Sequence, residues 1–206
     1  MFIDRTDAAN QLLERLKIAL GTAKAVILAI PRGGLVLGTV LAKALKAPLD
    51  VILAKKIGAP HNPELAIGAA TQSFFFVQPP YQLKDFEHQA AIIQEKLRER
   101  AQIYHQNAHP ITLNGTTVVI VDDGIATGHT MYAAIKEVKK QMPRYIIVAA
   151  PVISAQTRGW LVPEVDKIIS VIEPEDLQAI GAYYQHFDQI DDNTALKLLK
   201  SSQKNN

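Results

Sequence analysis

Five short runs in this sequence are apolar at nearly every position: AVILAI from Ala25, VILA from Val51, TVVIV from Thr117, YIIVAAPV from Tyr145 and KIISVI from Lys167. A strand with two apolar faces has to be covered on both. Such strands belong to parallel sheets whose crossover helices pack on either side. Helix-period segments fall between the runs. Leu35 to Leu45 is one, and Thr130 to Gln141 is clearer, with Met131, Ala134, Ile135 and Val138 on one stripe. Ser154 to Leu161 makes a shorter third. The expected fold class is therefore α/β, a parallel doubly wound sheet with right-handed crossovers. Asp7 to Leu20 is expected as an amphipathic helix on its outside, turning Leu12, Leu16 and Ala19 inward.

With 206 residues and no Gly, Ser or Pro stretch long enough to divide it, the chain is expected to form a single domain, 1–206. Two regions break the rhythm. Residues 61–104 form a proline-bounded insert, with FFFV near Phe74 and a long charged helical segment from Lys84 to Tyr104. It is either a lid over a site or a surface hairpin and helix packed on the core. Residues 172–192 follow the last apolar run and could form a small cap, and 201–206, SSQKNN, are expected to be disordered.

Charge narrows the class of function. Lys plus Arg number 22 against 20 acidic residues, with no block of one sign, so neither DNA nor a membrane surface is an expected partner. The absence of cysteine excludes disulfides, thiolate metal sites and thiol nucleophiles. MFIDRTDAANQ carries no apolar signal, and no run reaches the roughly 18 residues of a membrane span, so a cytoplasmic protein is expected.

The chemistry concentrates in VVIVDDGIATGHT, Val118 to Thr130. Two adjacent carboxylates repel each other and gain nothing from burial, so they need solvent or a ligand with hydrogen bonds to give. In an open parallel sheet ligands bind beyond the carboxyl ends of the strands, which is where Asp122 and Asp123 fall. Gly124, Ile125, Ala126, Thr127, Gly128, His129 and Thr130 then lead into a helix, so backbone N–H groups and the positive helix end converge as an anion cradle. Acids for a vicinal diol beside a cradle for a monophosphate suit a ribose 5-phosphate. A bare pair of aspartates is otherwise a turn or a cap.

Other phosphate sites are excluded by spacing. There is no G-x-x-x-x-G-K-[ST] at Gly124, and Gly33, Gly34 and Gly38 do not make G-x-G-x-x-G. A response-regulator receiver also has paired acids after a strand, but it needs a further aspartate after a later strand, and YIIVAAPV ends without one.

VVIVDDGIATGHTM resembles the phosphoribosyl pyrophosphate motif of type I phosphoribosyltransferases, and the resemblance extends from about Ala25 to Val171. It implies that AIPRGGLVLG carries the pyrophosphate loop, with Arg32, Gly33 and Gly34, although RGG before a helix can be a plain turn. It also implies that Lys55 or Lys56, at the end of the next strand, faces pyrophosphate, with Lys56 preferred from the basic pair of adenine-type members. The implied activity transfers ribose 5-phosphate from phosphoribosyl pyrophosphate to a nucleobase or similar nitrogen nucleophile. Arg32, Lys56, Asp122 and Asp123 would be catalytic. Mg2+ is the implied cofactor, bridging substrate oxygens with no dedicated protein ligands, and a homodimer is the implied assembly.

Ala126 stands where hypoxanthine-guanine members carry an acid and adenine-type members an alanine. The C-terminal AIGAYYQHFDQIDD resembles a subgroup whose acceptor is unassigned. Tyr183, Tyr184 and Phe187 either stack on a base or pack a small helix. His129 is incidental rather than catalytic, and Arg98 and Arg100 lie on a solvated helix face unless the insert closes. A non-catalytic sensor of phosphoribosyl pyrophosphate or a nucleotide is the alternative function.

Overall fold

A computed structural model describes residues 1–106 and 111–203. Its centre is a five-stranded, wholly parallel sheet of β1 (Ala25–Ala29), β2 (Leu49–Val51), β6 (Thr117–Val121), β7 (Tyr145–Val152) and β8 (Lys167–Ile172). The spatial order is β2-β1-β6-β7-β8. From β1 the chain steps one way to β2, then crosses back to β6 on the other side of β1. The strand order thus reverses between β1 and β6, and a crevice opens there beyond their carboxyl ends. The registers Ala29↔Val51, Ala29↔Val121 and Val121↔Ala149 bring these ends to one level.

Both faces of the sheet are dry, as the unbroken apolar runs require. Ile27, Val119, Val121, Ile147 and Ala149 share a core with α1 (Arg5–Leu20) and α2 (Gly34–Leu45). Val26, Leu28, Val118, Ile120, Ile146 and Val148 form the other, with α4 (His129–Lys139) and α5 (Ala155–Leu161). Helix α1 starts two residues before the expected Asp7 because the Asp4 carboxylate accepts from the Thr6 and Asp7 N–H groups, both at 2.8 Å. Ser154 caps α5 in the same way.

The insert is a separate antiparallel sheet of β3 (Lys55–Ala59), β4 (Asn62–Ala70) and β5 (Phe75–Val77), followed by α3 (Glu87–Tyr104). It therefore departs from the core at Lys55, not at His61. Strand β2 is only three residues long, and KKIGA turns away to pair with β4, Lys55 opposite Ala70 and Lys56 opposite Ala69. Phe76 of β5 rests edge-on against Tyr132 of α4, with centroids 4.6 Å apart.

At the C-terminus, α6 (Asp192–Gln203) was not foreseen. It packs on α2 and β2, burying Ala195 and Leu199. Ser201 to Gln203 belong to this helix, against the expectation of disorder from 201, and residues 204–206 lie outside the described residues. Among the described residues no helix is long and apolar enough to cross a membrane.

Candidate functional site

Loops after β1 and β6 face each other across the switch point, and each contributes one of the motifs. After β6, Asp122 to Gly128 form a turn tied down by main-chain bonds. The Ile125 N–H donates to Val152 O at 2.8 Å and the Ser154 N–H to Ile125 O at 3.1 Å, while the Thr157 hydroxyl donates to Ala126 O. Gly128 has φ +75, and a Cβ there would meet Thr157 and Trp160 at 2.5 and 2.8 Å, so only glycine fits. The turn delivers the chain into α4 at His129. Asp122, Gly124 to Gly128, Thr130 and Met131 line a pocket of about 170 Å³ that Ile180 closes on one side. That is below the ~300 Å³ of pockets that enclose drug-sized ligands, and it suits a compact headgroup.

The facing loop explains its own glycines. A Cβ on Gly34 would come within 2.8 Å of Val121 O and 3.2 Å of Asp122 Cα, and a Cβ on Gly33 would overlap the Asp123 carboxylate. Arg32-Gly33-Gly34 and Asp122-Asp123, far apart in the chain, are thus in van der Waals contact, and that proximity needs both glycines.

The two acids have different surroundings. Asp122 reaches the pocket, and it holds the Asp123 N–H at 2.9 Å. Burial first, and then the neighbouring Asp123 charge, raise its pKa well above the ordinary carboxylate value. Asp123 is instead engaged by the protein. Arg5 Nε donates to its Oδ2 at 2.7 Å, and the two side chains are 10% and 16% exposed. Arg5 also donates to Asp188 O at 2.8 Å and lies 3.8 Å above the Phe187 ring. The Tyr184 hydroxyl donates to Asp123 O at 2.6 Å. Tyr184 and Phe187 therefore pack the C-terminal segment onto the acids, with rings 4.8 Å apart, rather than standing free for a base.

Asp192, at the start of α6, sits beside the arginine loop. It is 3.8 Å from Arg32 Nη1, and its Oδ1 accepts from Arg100 of α3. Arg100 thus approaches Arg32 through a shared carboxylate rather than lying on a purely solvated face.

Several expected site residues fall elsewhere. Lys55 and Lys56 open β3 of the second sheet and line no wall of this pocket, so the expectation that they end the strand after α2 is corrected. The β2 run stops at Val51, and the lysines pair with β4 instead. His129 supplies the first residue of α4, but its ring is buried, stacked on Phe76 at 5.9 Å and tilted against Trp160 at 6.3 Å. Burial holds its pKa below the ordinary histidine value.

Arg5 and Ile180 were missed. For Arg5 there was one weak signal, a cation in the first turn of a helix, where the helix dipole disfavours it. For Ile180 there was none. The residues that do meet are Arg32, Gly33, Gly34, Asp122, Asp123 and the Gly124–Thr130 turn.

Residues 3–186 match the family model described as the phosphoribosyl transferase domain. The Mycobacterium tuberculosis protein named "Putative phosphoribosyl transferase Rv0571c" is 33% identical over 210 residues, covering 97% of this chain and 46% of that protein. The chain therefore spans about half the length of the curated relatives it matches. TT1426 from Thermus thermophilus is 36% identical, with a TM-score of 0.83 over 97% of this chain and 98% of that one. A Neisseria gonorrhoeae protein with bound ppGpp, 17% identical with a TM-score of 0.54 over 98% of each chain, shares the fold alone. With its switch-point loops, paired acids and glycine-rich turn, the chain belongs to the phosphoribosyl transferase domain family.

Proposed function

We propose that this site transfers ribose 5-phosphate from phosphoribosyl pyrophosphate to a nitrogen nucleophile, a nucleobase or a similar small compound, and releases pyrophosphate. One observation carries the proposal: the Gly124–Thr130 turn, the paired acids and the Arg32-Gly33-Gly34 loop meet at one crevice, matching a ligand with a phosphoester tail, a diol and a leaving group rich in anionic oxygens. The tail would sit on the amides of the turn. Asp122, and Asp123 once released from Arg5, would accept from the diol.

In the reaction the nucleophile's lone pair forms a bond to the anomeric carbon while the bond from that carbon to the pyrophosphate oxygen breaks. Positive charge grows on the ring, where the aspartates stabilise it, and negative charge on the leaving oxygens, where Arg32 does. Losing one such preorganised group costs on the order of a hundredfold in rate.

Mg2+ belongs to the same proposal. The donor set fits a hard cation only in part. Asp122 offers carboxylate oxygen at the pocket, and the described residues hold no cluster of three metal-ligating side chains. Substrate and water would therefore supply most of its ligands, and the ion would neutralise the pyrophosphate oxygens. Arg100, beside Arg32, is the further cation within reach of the leaving group. Cytoplasmic residence and a homodimer complete the proposal and are checked by cell fractionation and light scattering.

The test is pyrophosphate release with phosphoribosyl pyrophosphate and Mg2+ across a panel of bases. Release that depends on the base is the expected result. Saturable donor binding with no release for any base would make the protein a sensor instead.

A further inference from the structure

His105 caps the C-terminal end of α3, and both of its ring nitrogens meet acceptors. Nδ1 lies 3.1 Å from the Ala101 carbonyl oxygen one turn back, and Nε2 lies 2.8 Å from Asp50 Oδ1 on β2. A carbonyl oxygen has no hydrogen to give. Asp50 is 3% exposed and already accepts on both oxygens, from the Val51 N–H at 2.7 Å and the Ile111 N–H at 3.1 Å. A neutral imidazole has one N–H and one bare nitrogen, so it would set a lone pair against one of its two partners. The imidazolium has two N–H groups and satisfies both. Its charge also suits the carboxyl end of a helix dipole and a buried carboxylate.

Among the described residues, two further charged groups line the cavity of about 450 Å³ that Asp50 and His105 border, and each is engaged elsewhere. Arg98 of α3 donates to Glu95 at 2.5 Å, and Glu137 of α4 accepts from the Thr71 hydroxyl at 2.7 Å. The hydrogen bond to Asp50 comes first in raising the His105 pKa above the ordinary histidine value; burial opposes it, and the Asp50 charge and the Ala101 carbonyl add to it. The same end of α3 carries Arg100, which donates to Asp192 beside Arg32.

We propose that His105 is a proton-dependent clasp. As the imidazolium it ties the last turn of α3 to β2, and on deprotonation it loosens the end of the helix that carries Arg100. Because the folded pKa is raised, this stabilisation is complete below the ordinary histidine value of 6.5 and is lost as pH rises through the raised one. The clasp concerns the docking of α3 alone, so it stands or falls independently of the transfer reaction.

In the nitrogen-15-labelled full chain, long-range proton–nitrogen NMR spectra identify His105 as the imidazole absent from His105→Gln. At pH 6 both of its ring nitrogens are expected to carry hydrogen, and its titration midpoint should lie above 6.5. Amide exchange from Arg100 to Tyr104, expressed as protection relative to an unstructured chain, is the second readout. Protection should fall roughly tenfold in the wild type as pH passes that midpoint, the loss of one hydrogen bond to a charged group. Gln keeps a donor for Asp50 and does not titrate, so His105→Gln should show no such step. A bare ring nitrogen at pH 6, a midpoint at or below 6.5, no step in the wild type, or a step of the same size in His105→Gln would each overturn the proposal.

Discussion

The Gly124–Thr130 half of the candidate site is held by main-chain bonds to Val152 and Ser154, whereas the Arg32–Asp123 half is held by side-chain ion pairs that the protein makes with itself. Apart from the Ile125 N–H, which Val152 O accepts, the first half would offer its amides to a ligand without breaking any of these bonds. In the second, Arg5 occupies Asp123 and Asp192 approaches Arg32. Under the proposed function a phosphate monoester would engage the first half alone, and a full donor would exchange internal ion pairs for its own diol and pyrophosphate oxygens. These pairs are unequal: Arg5–Asp123 is 10% and 16% exposed, while Arg32–Asp192 is 44% and 60% exposed. The buried pair ties α1 to the loop after β6, and the exposed one is easily replaced.

The comparison breaks most sharply at Gly128. Gly128→Val, at φ +75 and against Thr157 and Trp160, should displace the turn and lower affinity for ribose 5-phosphate by more than about a hundredfold in calorimetric titration, a loss on the scale of one preorganised donor or more. Wild-type affinity would mean that the turn is not the phosphate site.

Arg5→Ala comes next. It leaves Asp123 unpaired beside Asp122 and should cost about 3 kcal/mol in denaturant unfolding, as breaking a buried pair from one side does. A loss under about 0.5 kcal/mol would show that Asp123 has no need of this partner.

Asp122→Asn should act in the opposite direction on stability. Because the folded pKa lies above the ordinary value near 3.8, the folded state holds the proton more tightly than the unfolded chain. The penalty is absent at pH values below the ordinary carboxylate pKa and grows as pH rises through the raised one. The substitution should thus stabilise the protein by about 1 kcal/mol at pH 8 and by almost nothing at pH 3, read from melting curves at both. An equal effect at the two pH values would contradict the assigned burial.

Asp192→Ala is the mildest test. Its stability effect should stay within about 0.5 kcal/mol, while pyrophosphate affinity rises by about threefold as Arg32 and Arg100 are released. Weaker pyrophosphate binding would make Asp192 a ligand-binding group rather than a competitor.

The sheet was legible because strands apolar on both faces leave few alternatives, and the turn into α4 because Asp122 to Thr130 is contiguous in sequence. The approach of Arg32 to the acids was legible only through resemblance, since Gly33 and Gly34 report a close neighbour without naming it. Lys55 and Lys56 were misplaced because VILAKKIGA has no punctuation between β2 and β3, and one apolar run serves two sheets. Asp192 could not be seen at all, and Arg5 only through the weak signal of a cation in a helix's first turn. Their roles depend on α1 and α6 carrying exposed-looking charges to a distant crevice, a property of packing rather than of local pattern.

A crystal structure with ribose 5-phosphate bound is the most direct test of the two-part site. The phosphate should lie on the Gly124–Thr130 amides with the turn unmoved, and the sugar hydroxyls should meet Asp122 with the Arg5–Asp123 pair opened or shared. A phosphate bound elsewhere, or a sugar turned away from both acids, would contradict the account.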